Sequence, residues 1–264
     1  MGWRGIAFGA WIGSLFGGPL GAVLGAALGH QIEKSVSSGE PRRGAPRRGA
    51  SANAGTAAER GMVFCASAAA MMAKLAKADG RVSSEEIAEI EAAFGRLGFS
   101  RAAREYAVEV FRRAKDDSHS VFEYAADFAA VMDSVEVREL FYEILWDIAG
   151  ADGVVSQGEL EMLRQLPDAL RIRREWFAYF SSERLGQAGR PRVDALKEAY
   201  TLLDASPSDT DEVLKSKYRA LAKRNHPDVL RARGLPEEMV GKATEKMGRI
   251  NDAWKTIREA RGIK

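Results

Sequence analysis

The chain of 264 residues is long enough for two domains with accessory segments. Its hydrophobic fraction of 46% and charged fraction of 29% exclude wholesale disorder and a collagen-like structure. A single cysteine, Cys65, excludes an internal disulfide framework and a cysteine-rich zinc site. The net charge of +2 conceals an asymmetry, because residues 61–185 hold 22 acidic and 15 basic side chains whereas residues 186–264 hold 12 and 17. We therefore expect these two regions to meet different partners.

Residues 1–34 are predicted to form a membrane anchor. No Asp, Glu, Lys or Arg lies between Arg4 and Glu33, and the stretch 6–28 extends about 35 Å as a helix, enough to cross a hydrocarbon core of about 30 Å. A row of glycines at every fourth position would let a second helix approach closely, so the row predicts a homodimer through the span. The row consists of Gly5, Gly9, Gly13, Gly17, Gly21, Gly25 and Gly29.

Two other structures compete for this segment. A cleaved signal peptide is normally shorter and less rich in glycine. A hairpin turning at residues 17–19 would leave two arms of about ten residues, which are too short to span a bilayer. A single spanning helix, kinked at Pro19, is therefore the prediction.

The charges that flank the span predict its orientation. Only Arg4 and the amino terminus precede it, whereas Lys34 and four arginines between residues 42 and 48 follow it. Because positively charged segments stay in the cytoplasm, we expect the bulk of the chain to be cytoplasmic. Residues 35–60 lack apolar periodicity and are predicted to be a flexible basic linker. Its arginines are either solvated or in contact with anionic lipid headgroups.

Residues 61–185 show helical periodicity throughout, and no long alternation predicts a strand. The pattern Ala-Asp-Gly-x-Val-Ser-x-x-Glu begins at Ala78 and again at Ala151. It resembles half of a calcium-binding loop, but the upstream positions offer no carboxylate, so we predict no metal site. In the alternative that we favour, a glycine ends one helix, a serine caps the next and a glutamate closes a capping box. These residues are Gly80, Ser83 and Glu86 in one copy and Gly153, Ser156 and Glu159 in the other.

This duplicated pattern resembles the TerB-like, tellurite-resistance-associated helical domain. The resemblance implies an all-α bundle of two related halves and no defined activity. The acidic surface of the region is either solvated or a site for a protein partner or weakly bound divalent ions. No basic face or aromatic platform in this region predicts nucleic-acid binding.

Residues 186–264 are predicted to contain three helices. The first carries Leu196, Tyr200 and Leu203, and Pro207 follows it. The second starts at Asp209 or Asp211, buries Leu214, Tyr218 and Leu221, and stops before Pro227. The third begins near Pro236 and has an apolar stripe from Met239 to Ile257. On the face of the second helix opposite its apolar residues, Lys215, Arg219 and Lys223 are spaced by four, with Lys217 and Arg224 beside them. Like charges at that spacing repel one another, which predicts an acidic partner for this basic face.

The sequence His226-Pro227-Asp228 lies between the second and third helices. Together with Tyr218-x-x-Leu221-Ala222 upstream and Ile250-Asn251-x-Ala253-Trp254 downstream, this pattern resembles a J-domain. The resemblance covers about the last seventy residues and implies an antiparallel pair formed by the second and third helices. The chain departs from it in two places. Asn225 stands where the family usually has an aromatic residue, and residues 230–235 lengthen the loop after the tripeptide.

The J-domain resemblance implies binding to a DnaK-type chaperone in its ATP state and stimulation of its ATP hydrolysis. It implies that the basic face of the second helix meets an acidic surface of the chaperone, that Asp228 pairs with an arginine there, and that His226 and Pro227 hold the loop in shape. A purely structural turn is the alternative for the tripeptide. His226 has no identifiable nucleophile or carboxylate partner for catalysis, so we predict no enzyme activity and no cofactor.

The order of span, linker, TerB-like domain and J-domain resembles the membrane-anchored DnaJ-like co-chaperones of the DjlA type. The resemblance implies a single-pass protein of the bacterial inner membrane, with a periplasmic N-terminus and cytoplasmic C-terminal domains. It also implies dimerisation through the span and recruitment of a DnaK-type chaperone to membrane or envelope-signalling clients. The alternative is an envelope-stress or metal-responsive interaction protein in which the TerB-like domain is primary and the J-domain is accessory.

Overall fold

The computed structural model describes residues 57–78, 91–92, 95, 101–150, 154–185 and 195–263. All regular secondary structure in these ranges is helical, which confirms the all-α prediction. The predicted glycine-rich span, residues 35–56 of the basic linker and most of the first Asp-Gly stretch lie outside the described residues, as do residues 151–153 of the second stretch. The linker prediction is wrong for residues 57–60, which are helical because Ala57, Ala58, Glu59 and Arg60 all favour a helix. Across the ranges that the structure covers, no helix combines the length and the apolar character that a membrane crossing requires.

The chain divides into two compact units between Val131 and Met132. In the first unit, helix α1 (Ala57–Ala76) packs against α2 (Arg101–Asp116) and α3 (Val121–Val131). The rings of Phe64 and Phe128 meet edge to face with their centroids 5.9 Å apart. Residues 63–75 of α1 are buried all round the helix and not on one face only. This is possible because alanine dominates the segment, and small side chains let neighbours approach from several directions.

The second unit begins with α4 (Val135–Ala149), α5 (Gln157–Leu170) and α6 (Glu175–Leu185). The Ser156 hydroxyl accepts a hydrogen bond from the Glu159 N–H, and the Glu159 carboxylate accepts one from the Ser156 N–H. The capping box predicted for the second Asp-Gly stretch is therefore confirmed. The rings of Trp176 and Phe180, both on α6, stack with centroids 5.4 Å apart and form part of the core.

The rest of this unit consists of α7 (Ala195–Leu202), α8 (Asp211–Arg224), α9 (Pro227–Ala232), a 3₁₀ turn (Glu237–Met239) and α10 (Val240–Arg261). Helices α8 and α10 run antiparallel, because Asp211 at the start of α8 pairs with Arg261 at the end of α10. Gly262 ends α10 with a φ of +66°, a left-handed conformation that favours glycine. Helix α10 also contacts α4, and α7 contacts α6.

Candidate functional site

The start of α8 is fixed by a threonine cap that was not predicted. The Thr210 hydroxyl accepts a hydrogen bond from the Val213 N–H at 3.4 Å, so the helix begins at Asp211. The first turn is acidic and the last turn contains Lys223 and Arg224, which complements the helix dipole at both ends. The sequence signal for this start is a threonine before two acidic residues, and it selects Asp211 over Asp209 as the first helical residue.

Helices α8 and α10 are joined by polar and aromatic contacts that fix their register. The rings of Tyr218 and Trp254 are stacked with centroids 5.1 Å apart, and the Tyr218 hydroxyl donates to the Asn251 side-chain oxygen at 3.1 Å. Leu214, Leu221, Ile250 and Ile257 are buried. This packing sets the position of the end of α8, where the tripeptide follows.

The guanidinium of Arg261 ties the end of α10 to the segment before α8. It donates to the Tyr200 hydroxyl at 2.8 Å, to the Asp209 carbonyl at 2.7 Å and to the Asp211 carboxylate at 3.0 Å. It also donates to the carbonyl of Pro207. Arg261 was not predicted to have this role, because nothing in the local pattern distinguishes it from other arginines near helix ends.

Asn225 ends α8 and is fully buried beneath the tripeptide. Its side-chain amide donates to the Leu221 carbonyl at 3.0 Å. Its side-chain oxygen has no hydrogen-bond partner among the described atoms. A buried polar atom without a partner destabilises a fold, so the replacement of the family's usual aromatic residue has a local cost.

The tripeptide begins a short helix. His226 is the N-cap of α9, and its Nδ1 accepts a hydrogen bond from the Asp228 N–H at 3.3 Å. Pro227 occupies the first helical turn, where its missing N–H has no consequence. The prediction that residues 230–235 lengthen a loop is therefore wrong for residues 230–232, which belong to the helix, whereas residues 233–235 are not helical. The sequence signal for this helix was Pro227 at its first position, preceded by His226, whose side chain can cap the helix.

The side chains of His226 and Asp228 are exposed to solvent, at 53% and 73%. The Asp228 carboxylate lies 3.4 Å from the Arg231 guanidinium, which also pairs with Glu237 at 2.9 Å. These are exposed ion pairs that contribute about 0–1 kcal/mol each. The carboxylate of Asp228 can therefore exchange its present neighbour for a partner's arginine.

The structure divides the five predicted basic residues of α8 into two groups. Lys215, Arg219 and Lys223 follow one another at four-residue steps on one face, are exposed, and make no ion pair with any residue that the structure describes. Lys217 and Arg224 lie about 180° around the helix from Lys215.

Both residues of the second group have acidic partners within the second unit. The Lys217 ammonium lies 2.8 Å from the Asp209 carboxylate, and the Arg224 guanidinium lies 3.6 Å from the Glu136 carboxylate on α4. The Lys217 ammonium, together with the Ser206 N–H, holds the pKa of the Asp209 carboxyl below its ordinary value. The exposed row of three cations is therefore the part of the predicted set that an acidic partner can bind without displacing an internal carboxylate.

Metal binding was predicted to be absent. Among the described residues, no group of three or more His, Cys, Asp or Glu side chains could hold a metal ion. In the second Asp-Gly stretch, Glu159 serves in the helix cap. Residues 79–86 and 151–153 lie outside the described ranges.

Comparisons with known proteins relate the N-terminal segment and the middle of the chain to characterised families. Residues 66–181 match the family model of the tellurite resistance protein TerB, and residues 1–51 match that of the co-chaperone DjlA transmembrane domain. The TerB match covers all described residues of the helices α2 to α5 and confirms the predicted TerB-like domain. The match at residues 1–51 supports membrane anchoring.

Several curated relatives resemble the chain over most of its length. Co-chaperone protein DjlA of Photobacterium profundum is 31% identical over 239 residues, which cover 84% of this chain and 86% of that relative. The protein of the same name from Escherichia coli O157:H7 is 30% identical over 78% of this chain and 82% of its own length. That from Coxiella burnetii is 31% identical over 73% of this chain and 76% of its own length. No solved structure matches the chain. With this identity along most of both sequences, the chain belongs to the DjlA family of co-chaperones.

Proposed function

We propose that the chain recruits a DnaK-type chaperone at the membrane and stimulates its ATP hydrolysis through the segment His226-Pro227-Asp228. Membership of the DjlA family supports a DnaJ-like co-chaperone role, which is regulatory rather than enzymatic. The observation that carries the finer proposal is the exposed tripeptide at the start of α9, directly after a helix with a row of exposed cations. We further propose that residues 186–264 form the J-domain.

The geometry supports a two-part contact. Lys215, Arg219 and Lys223 would meet an acidic surface of the chaperone and accelerate its approach, because complementary charge raises association rates. Asp228 would then pair with an arginine of the chaperone after leaving Arg231. The pair that it leaves is solvent-exposed, so the exchange costs little.

His226 and Pro227 would act by holding Asp228 in place. The Nδ1 of His226 accepts the Asp228 N–H and thereby fixes the first turn of α9. The ring of Pro227 fixes its own φ angle, so the backbone next to Asp228 has little conformational entropy left to lose on binding. The contribution of these two residues to binding is therefore preorganisation.

We propose for residues 1–34 a single membrane span that dimerises along the glycine row, followed by a flexible linker that ends before α1 begins at Ala57. The N-terminus would be periplasmic and residues 61–264 cytoplasmic in the bacterial inner membrane. Replacing Gly13 and Gly17 by leucine should abolish the dimer, whereas replacing Ala10 and Ser14 by leucine should leave it intact. Cross-linking in membranes measures the dimer. A dimer that survives the glycine substitutions would contradict this interface.

The experiment that tests the function is single-turnover ATP hydrolysis by a purified DnaK-type chaperone with the full-length chain in detergent micelles. The wild-type chain should accelerate hydrolysis, and the His226→Gln chain should not. An unchanged rate with the folded wild-type chain would contradict the proposal. Equal stimulation by both chains would contradict the role given to the tripeptide.

A further inference from the structure

An acidic row on α4 lies within the core of the second unit. Its members are spaced by three or four residues and therefore share one face of the helix. Three of them are almost completely buried, at 8%, 6% and 1% exposure. The four residues are Glu136, Glu139, Glu143 and Asp147.

Basic side chains of α10 neutralise three of these carboxylates. Lys246 lies 3.3 Å from Glu139, Arg249 forms an ion pair with Glu143, and Lys242 lies 3.1 Å from Asp147. A solvated acidic surface was one expectation for this region, but this part of it is buried against the chain's own basic helix. Burying both ions costs desolvation energy that offsets their attraction, whereas removing one partner of such a pair is strongly destabilising.

The fourth carboxylate, that of Glu136, faces the neighbourhood of the tripeptide. It lies 2.8 Å from the guanidinium of Arg233, just after α9, and 3.6 Å from that of Arg224, at the end of α8. The sequence predicted Arg224 as one of the basic residues that meet the chaperone, and although it lies outside the exposed row of three cations, it precedes His226 by only two residues. Its side chain is 55% exposed, so an acidic group approaching from outside can reach it.

The sharing of one carboxylate by two arginines makes the contact to Arg224 reversible. When Arg224 turns to another acidic group, Glu136 keeps Arg233 and a hydrogen bond from the Ser134 hydroxyl at 2.9 Å. The carboxylate is therefore not left buried without a partner, which would be strongly destabilising. The free-energy cost of moving Arg224 from the internal to an external carboxylate is consequently small.

The geometry points to Glu136 as an internal competitor of the chaperone: its carboxylate holds Arg224 in place of the chaperone's acidic surface and thereby lowers the affinity of the C-terminal helices for that surface. This inference rests on the proposed function. A competing internal contact reduces the apparent affinity in proportion to the population that it holds. For a partly exposed pair of this kind the reduction is about fivefold.

The test is the affinity of the full-length chain, in micelles, for a DnaK-type chaperone held in its ATP state. Glu136→Gln removes the charge but keeps the shape, and it should bind about fivefold more tightly. Glu161→Gln is the matched control, because Glu161 is an exposed carboxylate on α5 that pairs with Arg164 of the same helix. It should bind like the wild type.

A double-mutant cycle assigns the effect to Arg224. In a chain that already carries Arg224→Gln, the further change Glu136→Gln should produce no gain in affinity. Because Glu136 is buried, folding is checked by thermal unfolding. If Glu136→Gln does not fold, Glu136→Asp withdraws the carboxylate by one methylene and should shift the affinity in the same direction.

The outcomes separate this inference from the proposed function. A wild-type chain that binds, together with an unchanged or weaker Glu136→Gln chain, would overturn the competitor role alone. Tighter binding that persists in the Arg224→Gln background would also overturn it, because the gain would then not involve Arg224. A folded wild-type chain that does not bind at all would overturn the proposed function and this inference with it.

Discussion

Tyr218 of α8 and Trp254 of α10 stack face to face, with ring centroids 5.1 Å apart and 8° between the ring planes. The pair sits midway along the two antiparallel helices, between the Asp211–Arg261 ion pair at one end and the tripeptide segment at the other. The position of the tripeptide therefore depends on a stack that lies about two helical turns away along α8 and on an ion pair that lies about four turns away.

Replacing Trp254 by alanine should destabilise the α8–α10 pair by about 2 kcal/mol, since a half-buried aromatic side chain and its stacking contact are lost. Amide hydrogen exchange in α8 and α10 of the full chain would measure this as faster exchange. Lys255→Ala, at the exposed neighbouring position, should stay within about 0.5 kcal/mol of the wild type. Protection that is unaffected by Trp254→Ala would contradict the stabilising role of the stack.

Substitutions at Asn225 should reveal the cost of its unpaired oxygen. Asn225→Leu replaces a buried polar side chain by an apolar one of similar volume and should leave stability within about 1 kcal/mol of the wild type, or raise it. Asn225→Asp places a charge in the same buried position and should cost more than about 2 kcal/mol at neutral pH. The comparison is made by urea unfolding of the full chain. A large loss with leucine would show that the amide is needed.

Neutralising the exposed cation row should slow association with the chaperone. Lys215→Gln together with Arg219→Gln should reduce the association rate about tenfold at low salt, and the difference should shrink as salt is added. The matched control is Lys255→Gln with Arg258→Gln, which removes the same charge from exposed positions on α10. Stopped-flow measurements at two ionic strengths test this. Equal slowing by both double variants would show that the net charge of the chain, and not the exposed cation row, determines the association rate.

The stability of the first unit should depend on the ionisation of Asp117. Although partial burial alone would raise the pKa of the Asp117 carboxyl, hydrogen bonds from Lys74, Tyr124 and the His119 N–H, together with the Lys74 charge, hold it below its ordinary value. A lowered folded-state pKa means that the unfolded chain binds the proton more readily. The stabilisation is therefore complete above the unfolded pKa of about 3.9 and is lost as the pH falls through the folded value.

Asp117→Asn should lower stability at pH 7 by about 2 kcal/mol, because a charged acceptor is lost and the Lys74 ammonium, 2.6 Å away, keeps no carboxylate partner among the residues that the structure describes. Thermal unfolding at pH 7 and at pH 3 measures the difference between the two chains. The difference should be smaller at pH 3. A constant difference at both pH values would contradict an electrostatic origin.

Local sequence signals predicted much of this structure. Helical periodicity predicted most of the buried positions of α3, α8 and α10, because those helices bury mainly one apolar face, although Tyr218 is only half-buried. Helix α4 is different, because residues 136–146 are buried all round. The pairing of Ser156 with Glu159 predicted the capping box, which depends on four consecutive residues only. Such features are encoded over short distances and need no knowledge of tertiary contacts.

Tertiary contacts determine what the sequence could not predict. Glu136, Glu139 and Glu143 were counted as part of an acidic surface, yet they are buried, because their partners lie about a hundred residues later in the chain.

Arg224 was grouped with Lys215 as one basic face, although helical geometry separates them by about half a turn. That separation follows from the rotation of about 100° per residue in any α-helix, so the division of the basic set is a local property of the sequence.

The most direct test of the account is single-turnover ATP hydrolysis by a DnaK-type chaperone with the full-length chain, comparing the wild type with Asp228→Asn and with Arg164→Gln, an exposed control on α5. The account predicts stimulation by the wild type and the control and none by Asp228→Asn, because the exposed carboxylate of Asp228 is proposed to engage the chaperone. Stimulation by Asp228→Asn equal to that of the wild type would contradict it.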